Sequence, residues 1–287
     1  MSKKVIVFLA DGKRSHGGFA DRLKGIISLF AFSLLKNVPF KIVYNFPFQL
    51  DNYLLENKYN WLPKKGKIMH FFFQKKYFCL IDQRSAENLL KINKIIKQTH
   101  FHANIDYLEQ INSYFGTNFN FAVLFHQLFK PTQELSDLIN FHKQKIGGQY
   151  ISAHFRFIGL LGDFKDNRNN ELAESEKNKL IEKNLLIIKN LTQKFQNNKI
   201  FVATDSKTFI EQAKLIDNVY VIQDGDIVHI DKTRGDNLAY MRVFLDFFII
   251  SESEKVFSVC SSEMYESQFP MYAAKINDVE FERIVVE

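Results

Sequence analysis

Short apolar runs of β type alternate along most of the chain with longer stretches of helical periodicity. VIVFLA (5–10) reads as a buried first strand, followed by a glycine-bearing loop and a helix over roughly 19–36. FKIVYNF (40–46), after Pro39, reads as the next strand. Residues 51 to about 120 are rich in Asn, Lys and Tyr and pattern poorly; helices are expected near 84–98 and 104–114. PTQELSDLINFHKQKIG (131–147) is well signposted as a helix: Thr132 can cap it, Glu134 and Asp137 suit its first turns, and Gly147–Gly148 ends it. A second series follows, with strands predicted at 150–157, 199–205, 219–222 and 255–259 and helices at 171–196, 206–215, 237–253 and 261–274.

Strands alternating with helices predict an α/β protein with parallel sheets. The renewed series after the 131–147 helix predicts two αβ halves, with domains at 1–145 and 146–287. No internal repeat, low-complexity segment or long linker interrupts them.

At 287 residues, with 46% hydrophobic and 24% charged residues, the chain can bury one large core or two modest ones. The 30 phenylalanines are spread along the whole chain, so they mark compositional drift before function. Cys79 and Cys260 match no metal or disulfide pattern, and a reducing cytoplasm is the expected compartment. The apolar run Val5–Ala10 is too short for a signal-peptide core, and IISLFAFSLL (26–35) is too short to span a bilayer. The net charge of +6 permits nucleic acid, an anionic membrane surface or an anionic small molecule. Because that charge is diffuse and no recognition motif is present, nucleic acid is disfavoured.

Four stretches carry candidate chemistry. In LADGKRSHGGFADRLKGI (9–26), Gly12, Gly17 and Gly18 precede a helix whose N-terminus favours an anion, and Arg22 lies one turn in; the plain alternative is a flexible turn. The loop is neither GxGxxG nor a Walker A motif. In ISAHFRFIGLLGDF (151–164), His154 and Arg156 fall on one face of a strand at the start of the second half, where strand ends form a ligand crevice. The alternative is an edge strand, or a pairing with an acid such as Asp163. In FVATDS (201–206), Thr204, Asp205 and Ser206 end a strand, either capping the next helix or lining the same crevice. In MRVFLDFFIISESEKVFSVCSSEMYES (241–267), Asp246 stands among apolar residues and requires a donor from backbone, Arg or ligand. Ser261 and Ser262 open the next helix, as caps or as an anion site. No HExxH, GxSxG or clustered Cys/His set is present; His100 and His102 form a close pair without a third ligand. DGD (224–226) is the nearest approach to a DxD signature, so the sequence does not call for a metal.

In this order the four stretches resemble those of the GDP-fucose-using glycosyltransferases, which include α1,6-, nodulation, α1,2- and protein O-fucosyltransferases. HGGFADRLKGI resembles the Gly-x-Gly-Asn-x-x-Arg element, and HFRFIGLLGD the His-x-Arg-x-Gly-Asp motif with its Gly-Asp displaced. FVATDS resembles the third element, and LDFFIISESEKVFSVCSSEM the Asp, Leu-Ser, paired-Ser pattern. LFKPTQELSDLI is similar to the phrase that precedes the donor domain. Residues 50–125 are unmatched.

The resemblance implies a GT-B fold, two Rossmann-like αβα domains facing each other across a cleft, with the acceptor met by the N-terminal domain and GDP-fucose by the C-terminal one. It implies inverting transfer of fucose to a glycan hydroxyl, as in bacterial surface polysaccharide or oligosaccharide synthesis, with no cofactor and no metal. The partners implied are the nucleotide sugar and a glycan acceptor, in the cytoplasm or at the periphery of its membrane. Arg156 matches the arginine that binds the diphosphate and assists the leaving group, and His154 a donor-site histidine. Thr204 and Asp205 match residues lining the nucleotide pocket, and Ser206 follows them. Asp246 matches the carboxylate that reads the guanine edge, and Ser261 and Ser262 the serines near the phosphates. Gly17, Gly18 and Arg22 join the donor-binding set through the first element. Phe157 stands where many members have a second Arg, and Glu263 where an amide is common. His16 is the candidate for the base that deprotonates the acceptor, with Asp21 and Asp11 as substitutes. Two alternatives are carried: the same fold with another nucleotide-sugar donor, and a non-catalytic nucleotide- or glycan-binding module.

Overall fold

The computed structural model describes residues 4–64, 75–81, 86–95, 97–163, 171–223 and 237–286. The DGD stretch at 224–226 lies outside the described residues. Two compact units divide between Thr132 and Gln133, earlier than the expected 145/146 boundary, so the well-signposted helix groups with the second unit.

The first unit holds β1 (Val5–Ala10), α1 (Phe19–Leu35), β2 (Phe40–Tyr44), β3 (Leu54–Glu56), β4 (Lys75–Leu80), α2 (Ala86–Leu90), β5 (Gln98–Ala103), α3 (Leu108–Phe115), α4 (Phe121–Leu128) and β6 (Phe129–Pro131). Four strands form a parallel sheet in the order β2-β1-β5-β4, and β3 pairs antiparallel with β6. All six residues of β1 are buried, as a continuous apolar run in a parallel sheet requires. Helix α1 is apolar nearly all round because it is covered twice, by β1, β2 and β5 and by α3 and α4.

The expected helix at 84–98 is a correction. It is the single short α2, and Gln98 opens β5, a central strand buried along its whole length. QTHFHA carries no apolar run because its polar side chains find partners inside the fold: His100 meets Gln98, and His102 meets His16.

The second unit holds α5 (Gln133–Ile146), β7 (Tyr150–Phe155), α6 (Glu174–Lys194), β8 (Lys199–Thr204), α7 (Lys207–Ala213), β9 (Val219–Tyr220), α8 (Asn237–Ser251), β10 (Lys255–Ser261), α9 (Phe269–Lys275) and β11 (Glu280–Val286). Its five strands are all parallel, in the order β11-β10-β7-β8-β9. From β7 the chain winds outward through β8 and β9, then returns to the other side of β7 for β10 and β11. Ile151, Ala153 and Phe155 pack with Phe257 and Val259 against Leu180, Ile188 and Leu191 of α6 and Phe209 of α7. The other face is covered by α8 and α9; the Tyr150 hydroxyl donates to the Ile249 carbonyl of α8 at 2.8 Å. The sheet is doubly wound, and the carboxyl ends of β7 and β10 flank its switch point. Mixed α/β architecture with parallel sheets is thus as expected. The predicted helix at 261–274 begins only at Phe269; residues 262–268 form a turn. No helix among the described residues is long and apolar enough to cross a membrane.

Candidate functional site

At the switch point β7 ends at Phe155, so Arg156 leaves the ladder rather than continuing the face that His154 occupies. The two side chains part company. His154 turns inward, 7% exposed, with its ring 5.7 Å from that of Phe269. Burial first, and the adjacent Arg156 second, push its pKa down to about 3, so it is a neutral imidazole and not a second cation. Its Nδ1 has no hydrogen-bond partner among the described residues.

Arg156 turns toward the end of β8, where its Nη1 lies 3.2 Å from Asp205 Oδ2, and 18% of its side chain stays exposed. Asp205 is 3% exposed and also accepts the amide hydrogens of Phe157 at 2.7 Å and Ile158 at 2.9 Å. Those two bonds hold a turn in which Ile158 takes a φ of +49°, a costly conformation for a β-branched residue. The carboxylate thus fixes the arginine-bearing loop from behind. The Thr204 hydroxyl accepts the Ser206 amide at 3.3 Å. The Ser206 hydroxyl accepts from Phe209 N at 3.0 Å and donates to Asp163, whose other oxygen takes the amide and hydroxyl of Thr208, each at 2.9 Å. Ser206 and Asp163 therefore cap α7. Asp163 is not the partner of Arg156, and Phe157 is a core residue, 4.9 Å from the Phe209 ring.

The turn after β10 is stitched to the same place, because the Tyr265 amide donates to the Arg156 carbonyl at 3.2 Å. Within it the Ser261 hydroxyl donates to Glu263 at 2.6 Å and accepts weakly from Met264 N at 3.4 Å. That hydroxyl holds the Glu263 carboxyl below its usual range. Ser262 is exposed. The pair caps a turn rather than opening a helix. Arg156, Ser261 and Ser262 gather at the carboxyl ends of adjacent strands, where a doubly wound sheet holds ligands.

Asp246 has its donor on its own helix: Arg242 Nε lies 2.9 Å away at i−4, with the two side chains 14% and 5% exposed. Burial raises the Asp246 pKa and Arg242 opposes the rise.

In the first unit the glycine loop does not present itself to an anion. Gly17 takes a φ of +75°, and a Cβ there would lie 2.2 Å from Asp21 Oδ2. The Gly18 amide donates to that carboxylate at 3.1 Å, and Lys24 pairs with its other oxygen at 2.7 Å. Asp21 is thus the capping acid of α1. Arg22 is 1% exposed, donating to the carbonyls of Gly17 and Phe46 with its guanidinium 5.0 Å above the Tyr44 ring. Gly17, Gly18 and Arg22 thus make their described contacts within their own unit. His16 is 1% exposed, with Nδ1 2.9 Å from the Arg14 carbonyl and Nε2 3.1 Å from His102 Nδ1. Both ring nitrogens are thus engaged within the first unit. The residue that sequence reasoning set aside is His102, whose Nε2 lies 3.7 Å from Asp11 Oδ1. The signal was the His100–His102 pair itself, dismissed because only a metal was sought. Among the described residues no group of three or more His, Cys, Asp or Glu side chains is disposed to hold a metal ion.

No protein-family model matches the chain, and no curated protein matches it by sequence. Solved structures do. The α-1,6-fucosyltransferase NodZ soaked with GDP-fucose superposes with a TM-score of 0.59 at 12% identity, covering 96% of this chain and 93% of that one. NodZ from Bradyrhizobium gives 0.60 at 12% identity over 95% and 92%. POFUT1 in complex with GDP-fucose gives 0.52 at 11% identity over 100% and 98%.

Proposed function

We propose, from the fold shared with these fucosyltransferase structures, that the chain is a glycosyltransferase of GT-B type, moving fucose from GDP-fucose to a glycan hydroxyl with inversion and without a metal. The second unit takes the donor and the first meets the acceptor. The observation that carries this reading is Arg156, partly exposed at the switch point and fixed from behind by Asp205. In inverting transfer the anomeric carbon becomes oxocarbenium-like while negative charge grows on the departing diphosphate. A preset guanidinium can take two of its oxygens at once and favours the transition state over the ground state. Ser261 and Ser262 stand at the adjacent strand end with their hydroxyls turned to Glu263, and His154 supplies a neutral, desolvated wall. The setting we assign is synthesis of a bacterial surface polysaccharide or oligosaccharide, in the cytoplasm or at the periphery of its membrane.

One observation favours a second reading. Asp246 already has Arg242 as its donor, so guanine is not needed to explain a buried acid, and another nucleotide-sugar donor fits the same fold. Thermal stabilisation by GDP, UDP and ADP separates the two, because a ligand that binds only the folded state stabilises it by about 2.7 kcal/mol at one hundred times its Kd. GDP alone should raise the melting temperature, and GDP-fucose should release GDP on incubation. A shift with UDP and none with GDP removes the guanine reading; binding without release leaves a nucleotide-binding module.

A further inference from the structure

Strand β10 outruns its neighbour at the second unit's switch point. Val259 pairs with Phe155, the last residue of β7, and β10 continues to Ser261. The turn after it is tied to Arg156 through the Tyr265 amide, so its polar groups stand at the strand edge that bears the partly exposed guanidinium. Three hydrogen-bond donors of that turn meet on one acceptor. The Ser261 hydroxyl donates to Glu263 Oε2 at 2.6 Å, and the Glu263 amide and the Ser262 hydroxyl donate to the same carboxylate. Ser261 is buried and takes the Met264 amide at 3.4 Å, whereas Ser262 and Glu263 are exposed.

An exposed glutamate gains little apolar burial by folding back over its own turn, and it gives up rotamer freedom to do so. The contacts that hold it are polar. The Ser261 hydroxyl first, then the residue's own amide, with the Ser262 hydroxyl and the charge of Lys183 behind them, keep the carboxyl below its usual range against the opposing effect of burial. It is therefore an anion at neutral pH. Hydroxyl and amide donors gathered on an anion make an anion site, and this one is filled by the chain itself.

We propose that Glu263 is an internal anion seated on the donors of the β10 turn, and that the diphosphate of a nucleotide displaces it to bind. The inference rests on the transferase reading above and deepens it, naming the residue that limits donor affinity. In the free chain the three donors belong to Glu263. In the bound chain they pass to phosphate oxygens, and the carboxylate, already exposed, turns into water. Affinity is then the difference between two anions on the same donors, so it falls short of what the phosphate contacts alone would give. A nucleoside without phosphates has nothing to offer the serines and leaves Glu263 in place. No covalent bond is made or broken in the exchange, and Arg156, held from behind by Asp205, keeps its position through it.

The test is calorimetric titration of the whole chain with GDP and with guanosine, which lacks the phosphates. E263A should bind GDP about tenfold more tightly than the wild type, the worth of a hydrogen bond to a charged group that binding no longer breaks. E263Q keeps the shape without the charge and should lie between the two. Guanosine should bind all three alike. The serines supply an internal control. S261A,S262A deletes the contested hydroxyls, and E263A made on that background should gain about twofold or less, because carboxylate and phosphate no longer compete for them. A merely structural role for Glu263 predicts no such coupling. Wild-type GDP binding with an E263A that binds no tighter, or a gain as large for guanosine as for GDP, overturns the inference and leaves the transferase reading intact. Failure of GDP to bind the wild type and E263A alike overturns both.

Discussion

Arg156 and Asp205 form an ion pair across 3.2 Å in which only the arginine reaches solvent, and the carboxylate behind it is pinned by two backbone amides. The arrangement separates function from folding. Removing the guanidinium leaves Asp205 with both amide donors, so Arg156→Ala should change the unfolding free energy by less than about 1 kcal/mol. Its turnover of GDP-fucose should fall by roughly 100- to 1,000-fold, the usual cost of deleting a preorganised donor to developing charge. Asp205→Ala removes the partner of two buried amides and a guanidinium and releases the Ile158 turn. It should cost about 3 kcal/mol and weaken GDP binding as well. Urea unfolding and GDP release on the two variants decide the matter. Equal destabilisation would make Arg156 a part of the fold rather than of the site.

The Asp246–Arg242 pair is subject to the opposite logic, because both partners are buried on one helix face. Asp246→Asn removes the negative charge opposite a desolvated guanidinium and should cost about 3 kcal/mol, read by chemical denaturation. Replacing both residues with apolar ones of similar volume should recover most of that loss. If the double variant folds well and still gains stability from GDP, Asp246 does not read the base. If the stabilisation by GDP vanishes while the fold is restored, the carboxylate is the guanine contact.

The second unit was legible in the sequence because its strands are apolar runs ended by the candidate polar residues: YISAHF, KIFVAT and KVFSVCS each stop at the carboxyl edge of the sheet. What was not legible is burial. His154 looked like a cation beside Arg156, but its burial, with the Phe269 ring beside it, and then Arg156 itself keep it neutral. In the first unit β5 was missed for a related reason. A buried strand written Gln-Thr-His-Phe-His-Ala looks like a loop unless the partners of its histidines are known, and these lie far away in sequence, at His16 for His102. Gly17–Gly18 was recognised as a helix start, but the acid three residues on, Asp21, was the sign that the helix caps itself.

Two glycines of α1 and its cap make a controlled pair. A Cβ on Gly25 would lie 2.2 Å from the Ala103 carbonyl oxygen, a backbone atom of β5 that cannot move aside. Gly25→Ala should therefore destabilise by about 2–3 kcal/mol through overpacking, despite the better helix propensity of Ala. A Cβ on Gly18 meets nothing within 4 Å. Gly18→Ala should cost about 1 kcal/mol or less, the difference between Gly and Ala at an N-cap. Thermal melts of the two variants should separate clearly; a tolerated Gly25→Ala would mean that α1 does not rest on the end of β5 as closely as described.

The two buried neutral histidines predict how stability depends on pH. His154 is held down to about 3 and His102 to about 4 in the folded chain, whereas an unfolded histidine titrates near 6.5. Between those values the unfolded chain binds protons that the folded chain refuses, so stability rises with pH across that window and is lost as pH falls below about 6.5. Well into the window each histidine contributes a slope of about 1.4 kcal/mol per pH unit, and from pH 6 to 5 the carboxylates add little of their own. Urea unfolding at pH 7, 6 and 5 should therefore show a loss of about 2–3 kcal/mol over the last step. His154→Leu should remove about half of that slope, whatever it does to stability at pH 7. A chain equally stable at pH 7 and pH 5 would mean that His154 and His102 take up protons while folded, and the neutral wall beside Arg156 would be lost.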